Sequence, residues 1–247
     1  MDQLDYYQFM GHSSELLRYR YEPYAAQFPP AARVVDIGCG RGEFLELLRE
    51  RGVDGLGVDA DESMVAEAQR KGLKVSQSDA TAFLTAHSGA FDGVFAAHVV
   101  EHLAPEQLHR FVMAAGGALR PGGRLILVTP NPANLQMQLR DFWVDLQHVR
   151  FYTREIITFL VHLAGLSQIE SAENPRYRTG LDFGLETWPA LPRERPPAKA
   201  IGRMKMAQVM LPSIEGRLSD LERRVNQMTE WMGSLYPPAE YYVTGVR

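Results

Sequence analysis

Residues 34–48 read VVDIGCGRGEFLELL, an apolar run, then glycines at 38, 40 and 42, then apolar residues at 44, 45, 47 and 48. The apolar run suits a buried strand, and the spacing after it suits one face of a helix. Glycine lets backbone approach a ligand where any side chain would collide. A strand, turn and helix in that order also aim amide N–H groups at the space before the helix. The same rhythm continues downstream. DGLGVD (54–59), KVSQSD (74–79), FDGVFAAHVV (91–100) and RLILVTPN (124–131) read as strands. Helical spacing falls at 43–51, from a cap at Asp61 or Ser63 to Lys71, and at 105–119. Strands alternating with helices across short turns predict a parallel sheet covered on both faces.

SQIESAE (167–173) and EYYVTGVR (240–247) add a sixth and a last strand. The expected fold class is therefore α/β, a doubly wound, seven-stranded, mostly parallel sheet. Residues 5–28 read as helical, so 1–32 form an N-terminal helical cap. The core is 33–174 with 239–247, and 175–238 is an insertion before the last strand. Its first part is rich in proline and arginine. Its second part places Leu211, Ile214, Leu218, Leu221, Val225, Met228 and Met232 at alternating steps of three and four. That is a heptad seam, and Pro212 limits its start. A coiled coil this short is marginal alone. It packs on the protein's own body, or joins a homodimer or a partner protein through the 211–232 helix.

Such sheets bind ligands beyond the carboxyl ends of their strands. Those ends are Gly38–Gly40, Asp59, Asp79, His98 and Pro130–Asn131. GCGRGEF lacks the Lys-Ser/Thr pair of a phosphate loop, and its third glycine comes one position early for a dinucleotide turn. A net charge of −4 marks no nucleic-acid surface. One cysteine, Cys39, excludes an intramolecular disulfide framework and a thiolate zinc cluster. No apolar run is long enough to span a bilayer, and residues 1–10 are too polar for a secretory signal, so a cytoplasmic protein without direct membrane insertion is expected.

VVDIGCGRG, GVD, SDA and LRPGGRLIL resemble, in order and spacing, the class I S-adenosylmethionine-dependent methyltransferases. The resemblance implies a Rossmann-like methyltransferase fold, S-adenosyl-L-methionine as cofactor and S-adenosyl-L-homocysteine as product. It implies that Gly38 and Gly40 approach the amino-acid part of the cofactor and that Asp36 orients the turn. Asp59, with Ala60 after it, would take the ribose, and Asp79 and Ala80 the adenine. Cys39 would pack in the turn rather than act as a nucleophile.

AAHVVEHLAPEQL, TPNPANL and FWVDLQHVRFYT resemble a narrower group, the methyltransferases of bacterial surface-polysaccharide clusters. So does RYRYEPYAAQF, which by that resemblance lies over the cofactor with Arg20 reaching its carboxylate. Departures occur at QFMG and at D-L-Q-H-V-R-F. The expected acceptor is a sugar hydroxyl of a glycan or its precursor; the alternatives are a small hydroxylated metabolite or quinone, or a non-catalytic scaffold. A hydroxyl acceptor needs a base or a metal. The candidates are His98, Glu101, His102, Asp145 and His148, with His98 or His148 as base, Asp145 as its orienting acid, and His98 also beside the cofactor. A divalent ion at His98, Glu101 and His102 resembles a site in some quinone-pathway methyltransferases. HVVEH (98–102) also fits a zinc-protease pattern, which requires all three side chains on one helical face. Arg150 is open between an ion pair and an acceptor contact, and Phe142, Trp143 and Tyr152 between flooring the acceptor and packing.

Overall fold

A computed structural model describes residues 13–177 and 205–247, the side chains of 205–215 excepted. The described elements are α1 (Ser14–Ala25), β1 (Arg33–Ile37), α2 (Glu43–Glu50), β2 (Asp54–Asp59), α3 (Glu62–Arg70), β3 (Val75–Gln77), α4 (Ala80–Ala86) and β4 (Phe91–Ala97), then a 3-10 turn (Val100–His102). There follow α5 (Pro105–Ala118), β5 (Leu119–Pro130), a π-helical turn (Met137–Asp141) running into Phe142–Val144, α6 (Arg154–Leu163), β6 (Ser167–Glu173), α7 (Lys205–Ser234) and β7 (Glu240–Val246). The chain divides into two compact units, residues 1–179 with 238–247, and residues 180–237.

The first unit is built on one seven-stranded sheet of order β3-β2-β1-β4-β5-β7-β6. The first five strands run parallel, and β7 runs antiparallel to both β5 and β6. The expected doubly wound, mostly parallel sheet is present. Successive strand side chains point to opposite faces, and here both faces are covered. Val35, Ile37, Val94, Ala96, Leu125 and Leu127 join one buried cluster with residues of α4, α5 and α6. Val34, Phe95, Ala97, Ile126 and Val128 join the other with residues of α1, α2 and α3. Each such Val, Leu, Ile or Phe contributes about 1.5–3 kcal/mol by leaving water. This two-sided burial explains why the strands read as unbroken apolar runs.

Several boundaries differ from the sequence expectation. β4 ends at Ala97 because His98 takes a left-handed conformation (φ 56°). The ATAFLTA segment forms α4, which lacks a polar stripe in sequence and gives no helical period. Of the two expected caps of α3, Asp61 serves, its carboxylate accepting from the amides of Ser63 and Met64. The segment read as a loop after Asn131 contains the π-helical turn. Of the 5–28 helical reading, 5–12 lies outside the described residues, as does 178–199 of the proline- and arginine-rich stretch. α7 begins at Lys205 and runs through Pro212. A proline removes one backbone bond from a helix interior, and here it does not end the helix. No helix among the described residues is long and apolar enough to cross a membrane.

Candidate active site

The glycine turn closes against β2. Gly38 N–H donates to the Val58 carbonyl at 2.8 Å. Gly38 has φ 68°, and a Cβ there would stand 2.5 Å from Cγ2 of Val99. Gly40 N–H donates to Oδ2 of Asp59 at 2.8 Å, and Asp61 N–H donates to Oδ1 at 2.9 Å. Each Asp59 oxygen keeps acceptor capacity. Asp36 is buried under the turn. Burial, and then the charges of Asp59 and Glu43, push its carboxyl well above the usual range. Cys39 is buried against Gly57. Burial, with Asp36 and Asp59 nearby, raises its thiol pKa, so it is no thiolate nucleophile.

Glu43 is already paired with Arg41 at 2.8 Å, but Asp59, with acceptor capacity to spare, and the buried Asp36 suit a ligand carrying an ammonium and a sulfonium, whose charge would favour the ionised Asp36. The residues therefore fit S-adenosylmethionine. Ala60 and Asp79 are exposed at the adjoining strand ends, with Ala80 half-buried. The Asp79 carboxylate accepts from Ala82 N–H at 2.8 Å and so caps α4.

Beside the turn lies a buried chain of alternating charges. Arg20 Nη2 meets Oε2 of Glu240 at 2.5 Å and lies 3.0 Å from Nε2 of His98. His98 Nε2 is 3.0 Å from the same Glu240 oxygen, and its Nδ1 is 3.0 Å from Oε1 of Glu101. Thr129 donates to the other Glu101 oxygen at 3.0 Å. Asn174 donates to Glu240 at 2.5 Å, and Arg20 stacks on Tyr177 at 3.5 Å. Burial by itself lowers the His98 pKa; the bonds to Glu101 and Glu240 override it and lift it to about 9. Burial raises Glu240, and Arg20 and His98 bring it down to about 2.

His148 is different. Its Nδ1 lies 2.6 Å from the Phe142 carbonyl, so Nδ1 carries the proton and Nε2 the lone pair. Nε2 is 3.6 Å from Oδ2 of Asp145 and 4.0 Å from Oε1 of Glu101. Burial lowers its pKa below the ordinary value, although Glu101 and Asp145 act the other way. Its ring stacks on Phe142, with centroids 4.3 Å apart. The 145–150 loop is tied to the 3-10 turn by Val149 N–H, which donates to the Glu101 carbonyl at 2.9 Å.

The structure thus gathers Asp36, Gly38, Gly40 and Asp59 at the turn, and Arg20, His98 and Glu101 beside it. Two expectations change. His98 has a carboxylate oxygen 3.0 Å from each ring nitrogen, and the raised pKa of about 9 disfavours the neutral ring that a base needs. Among the described residues His98, Glu101 and His102 do not form a three-ligand cluster, because His98 meets Glu101 through Nδ1 and turns Nε2 to Glu240. Glu101, His102 and His148 instead bring one ligand atom each within 4.8 Å of one another. Nδ1 of His102 is buried without a hydrogen-bond partner among the described residues. The protease pattern fails for the same reason, since its five residues span a strand end and a 3-10 turn. Phe142 and Tyr152 are buried, whereas Trp143 is exposed. Arg150 is exposed over the Tyr152 ring at 5.2 Å.

Glu240 was not anticipated. Its sequence signal is an acid opening the alternating run EYYVTGV.

A Rossmann-like sheet with a glycine turn after β1 and an acid ending β2 defines the class I S-adenosylmethionine-dependent methyltransferases. Residues 9–171 match the family described as Methyltransferase domain, and the chain belongs to that family. It is 34% identical over 171 residues to the ubiquinone biosynthesis O-methyltransferase of Sinorhizobium medicae, covering 67% of this chain and 66% of that one. It is 38% identical over 104 residues to the enzyme of the same name from Azorhizobium caulinodans, covering 40% of each chain. The chain thus spans less than two thirds of these relatives' length in the aligned segments. The fold is that of a methyltransferase from Archaeoglobus fulgidus, with TM-score 0.77, 23% identity and 100% of both chains covered. It also matches a Haemonchus contortus phosphoethanolamine N-methyltransferase in complex with S-adenosyl-L-methionine, with TM-score 0.58, 15% identity, and 100% of this chain and 60% of that one covered.

Proposed function

We propose that this chain is an O-methyltransferase whose acceptor is the hydroxyl of a small hydroxylated metabolite of the quinone type. The observation that carries this reading is the neutral His148, with Nδ1–H held by the Phe142 carbonyl and the Nε2 lone pair beside Asp145. S-adenosylmethionine, when bound, supplies an electrophilic methyl group on its sulfonium. Asp59 would accept from the ribose diol, Asp36 would lie toward the ammonium, and Gly38 and Gly40 would let the backbone close on the amino-acid part. His148 takes the acceptor proton at Nε2. Asp145 and Glu101 then stabilise the imidazolium, and the Phe142 carbonyl keeps the ring oriented. The charged His98 is a positioning residue that holds Glu101 between β4 and the 145–150 loop.

Two considerations favour a phenolic hydroxyl over the sugar hydroxyl expected from sequence. A phenol has a pKa near ~10, within reach of a neutral imidazole. The curated relatives carry the name of ubiquinone biosynthesis. Labelled methyl transfer to a panel of catechols and hydroquinols, beside free sugars and polysaccharide extracts, tests the reading. Labelled phenol ethers support it. Label confined to sugars returns the acceptor to the glycan class, and S-adenosylhomocysteine binding without transfer to any acceptor supports a scaffold.

A further inference from the structure

α7 carries Leu218, Leu221, Val225 and Met228 along one stripe, exposed by 43%, 58%, 44% and 61%. An apolar stripe left in water on a 30-residue helix is a surface that gains by being covered. The sequence around it says by what. With Leu211, Leu218, Val225 and Met232 at position a, and Ile214, Leu221 and Met228 at d, the e positions are Glu215, Glu222 and Thr229. The g positions are Arg217, Arg224 and Trp231. In a parallel pair, g of one helix faces e of the next heptad in its partner. Arg217 then meets Glu222 of the second copy, and the symmetric contact repeats it. An antiparallel pair sets g against g and e against e, so arginine faces arginine and glutamate faces glutamate. The flanking charges therefore select both a partner with this same sequence and its direction.

We infer that α7 pairs with α7 of a second copy as a parallel, in-register, two-stranded coiled coil over 211–232. The axis of the pair is a two-fold, so each seam residue faces its own counterpart. The salt-sensitive Arg217–Glu222 contacts fix the register, and the a and d side chains supply the burial.

The full chain is measured by sedimentation equilibrium, with S-adenosylhomocysteine binding as the check on the intact fold. The expected species is a dimer. Leu221→Asp with Val225→Asp gives a monomer that still binds S-adenosylhomocysteine. Arg217→Glu weakens the dimer at least tenfold, and adding Glu222→Arg restores it. Met232→Cys cross-links the dimer under oxidised glutathione, as adjacent counterparts require. A monomer at high concentration, or a dimer untouched by the seam variants, overturns the inference. So does a cross-link that fails in a dimer that persists, which indicates an antiparallel or unrelated interface.

Discussion

Arg20 and Glu240 are 220 positions apart in sequence, and their side chains meet at 2.5 Å in the buried interior. The contact joins α1 to β7 across the strand ends. A buried ion pair adds little net stability, because desolvation offsets its attraction, yet removing one partner is costly. Glu240→Gln leaves Arg20 and His98 facing each other without their shared anion. The expected loss is about 3–5 kcal/mol in denaturant unfolding. The apolar pair Arg20→Met with Glu240→Leu should recover much of it; an unchanged unfolding midpoint in the single variant would contradict the charge arrangement.

Stability should fall on the alkaline side. The folded His98 titrates near about 9, against about 6.5 in an unfolded chain. A raised folded value means that its contribution is complete below about pH 6.5 and disappears as pH rises through 9. The melting temperature should drop by about 5 °C across that window. His98→Gln should flatten this part of the profile, as followed by calorimetry against pH.

Cofactor affinity should depend on Asp59 more than on Asp79. Asp59 already anchors the amides of Gly40 and Asp61, so Asp59→Ala loosens the turn and removes the ribose acceptor together. S-adenosylhomocysteine should bind about tenfold to a hundredfold more weakly by calorimetry, since a charged hydrogen bond contributes about 1.5–3 kcal/mol. Exposed Asp79 caps α4, and Asp79→Asn, which retains a capping oxygen, should change affinity only slightly.

Transfer itself should depend on His148. His148→Gln should reduce kcat by about a hundredfold to ten-thousandfold, the range of a lost general base, with S-adenosylhomocysteine affinity unchanged. In the parent enzyme kcat/KM should rise with pH along a limb centred below about 6.5, because burial favours the neutral ring. A limb centred near 9 would assign the base to His98 instead.

The glycine turn, Asp36 and Asp59 are legible in the sequence because a strand, its terminal acid and the following helix are local features. The two-faced sheet is legible for the same reason, since Val34 and Val35 lie side by side in an apolar run and serve opposite faces. His98 and Glu101 could be flagged by type but not by role. The left-handed His98 backbone decides where its ring points, and no residue pattern encodes that at a histidine. Glu240 escaped because its partners come from α1 and the end of β4. Phe142 escaped as the orienting group because it acts through its carbonyl, which any residue supplies.

The strand bearing Glu240 follows residues 180–237 in the chain although it belongs to the other unit. On the ribosome, Arg20 and His98 are therefore made long before the carboxylate that joins them. The second unit delays completion of the first, and any chain interrupted before residue 240 retains two cations with nothing from β7 to neutralise them.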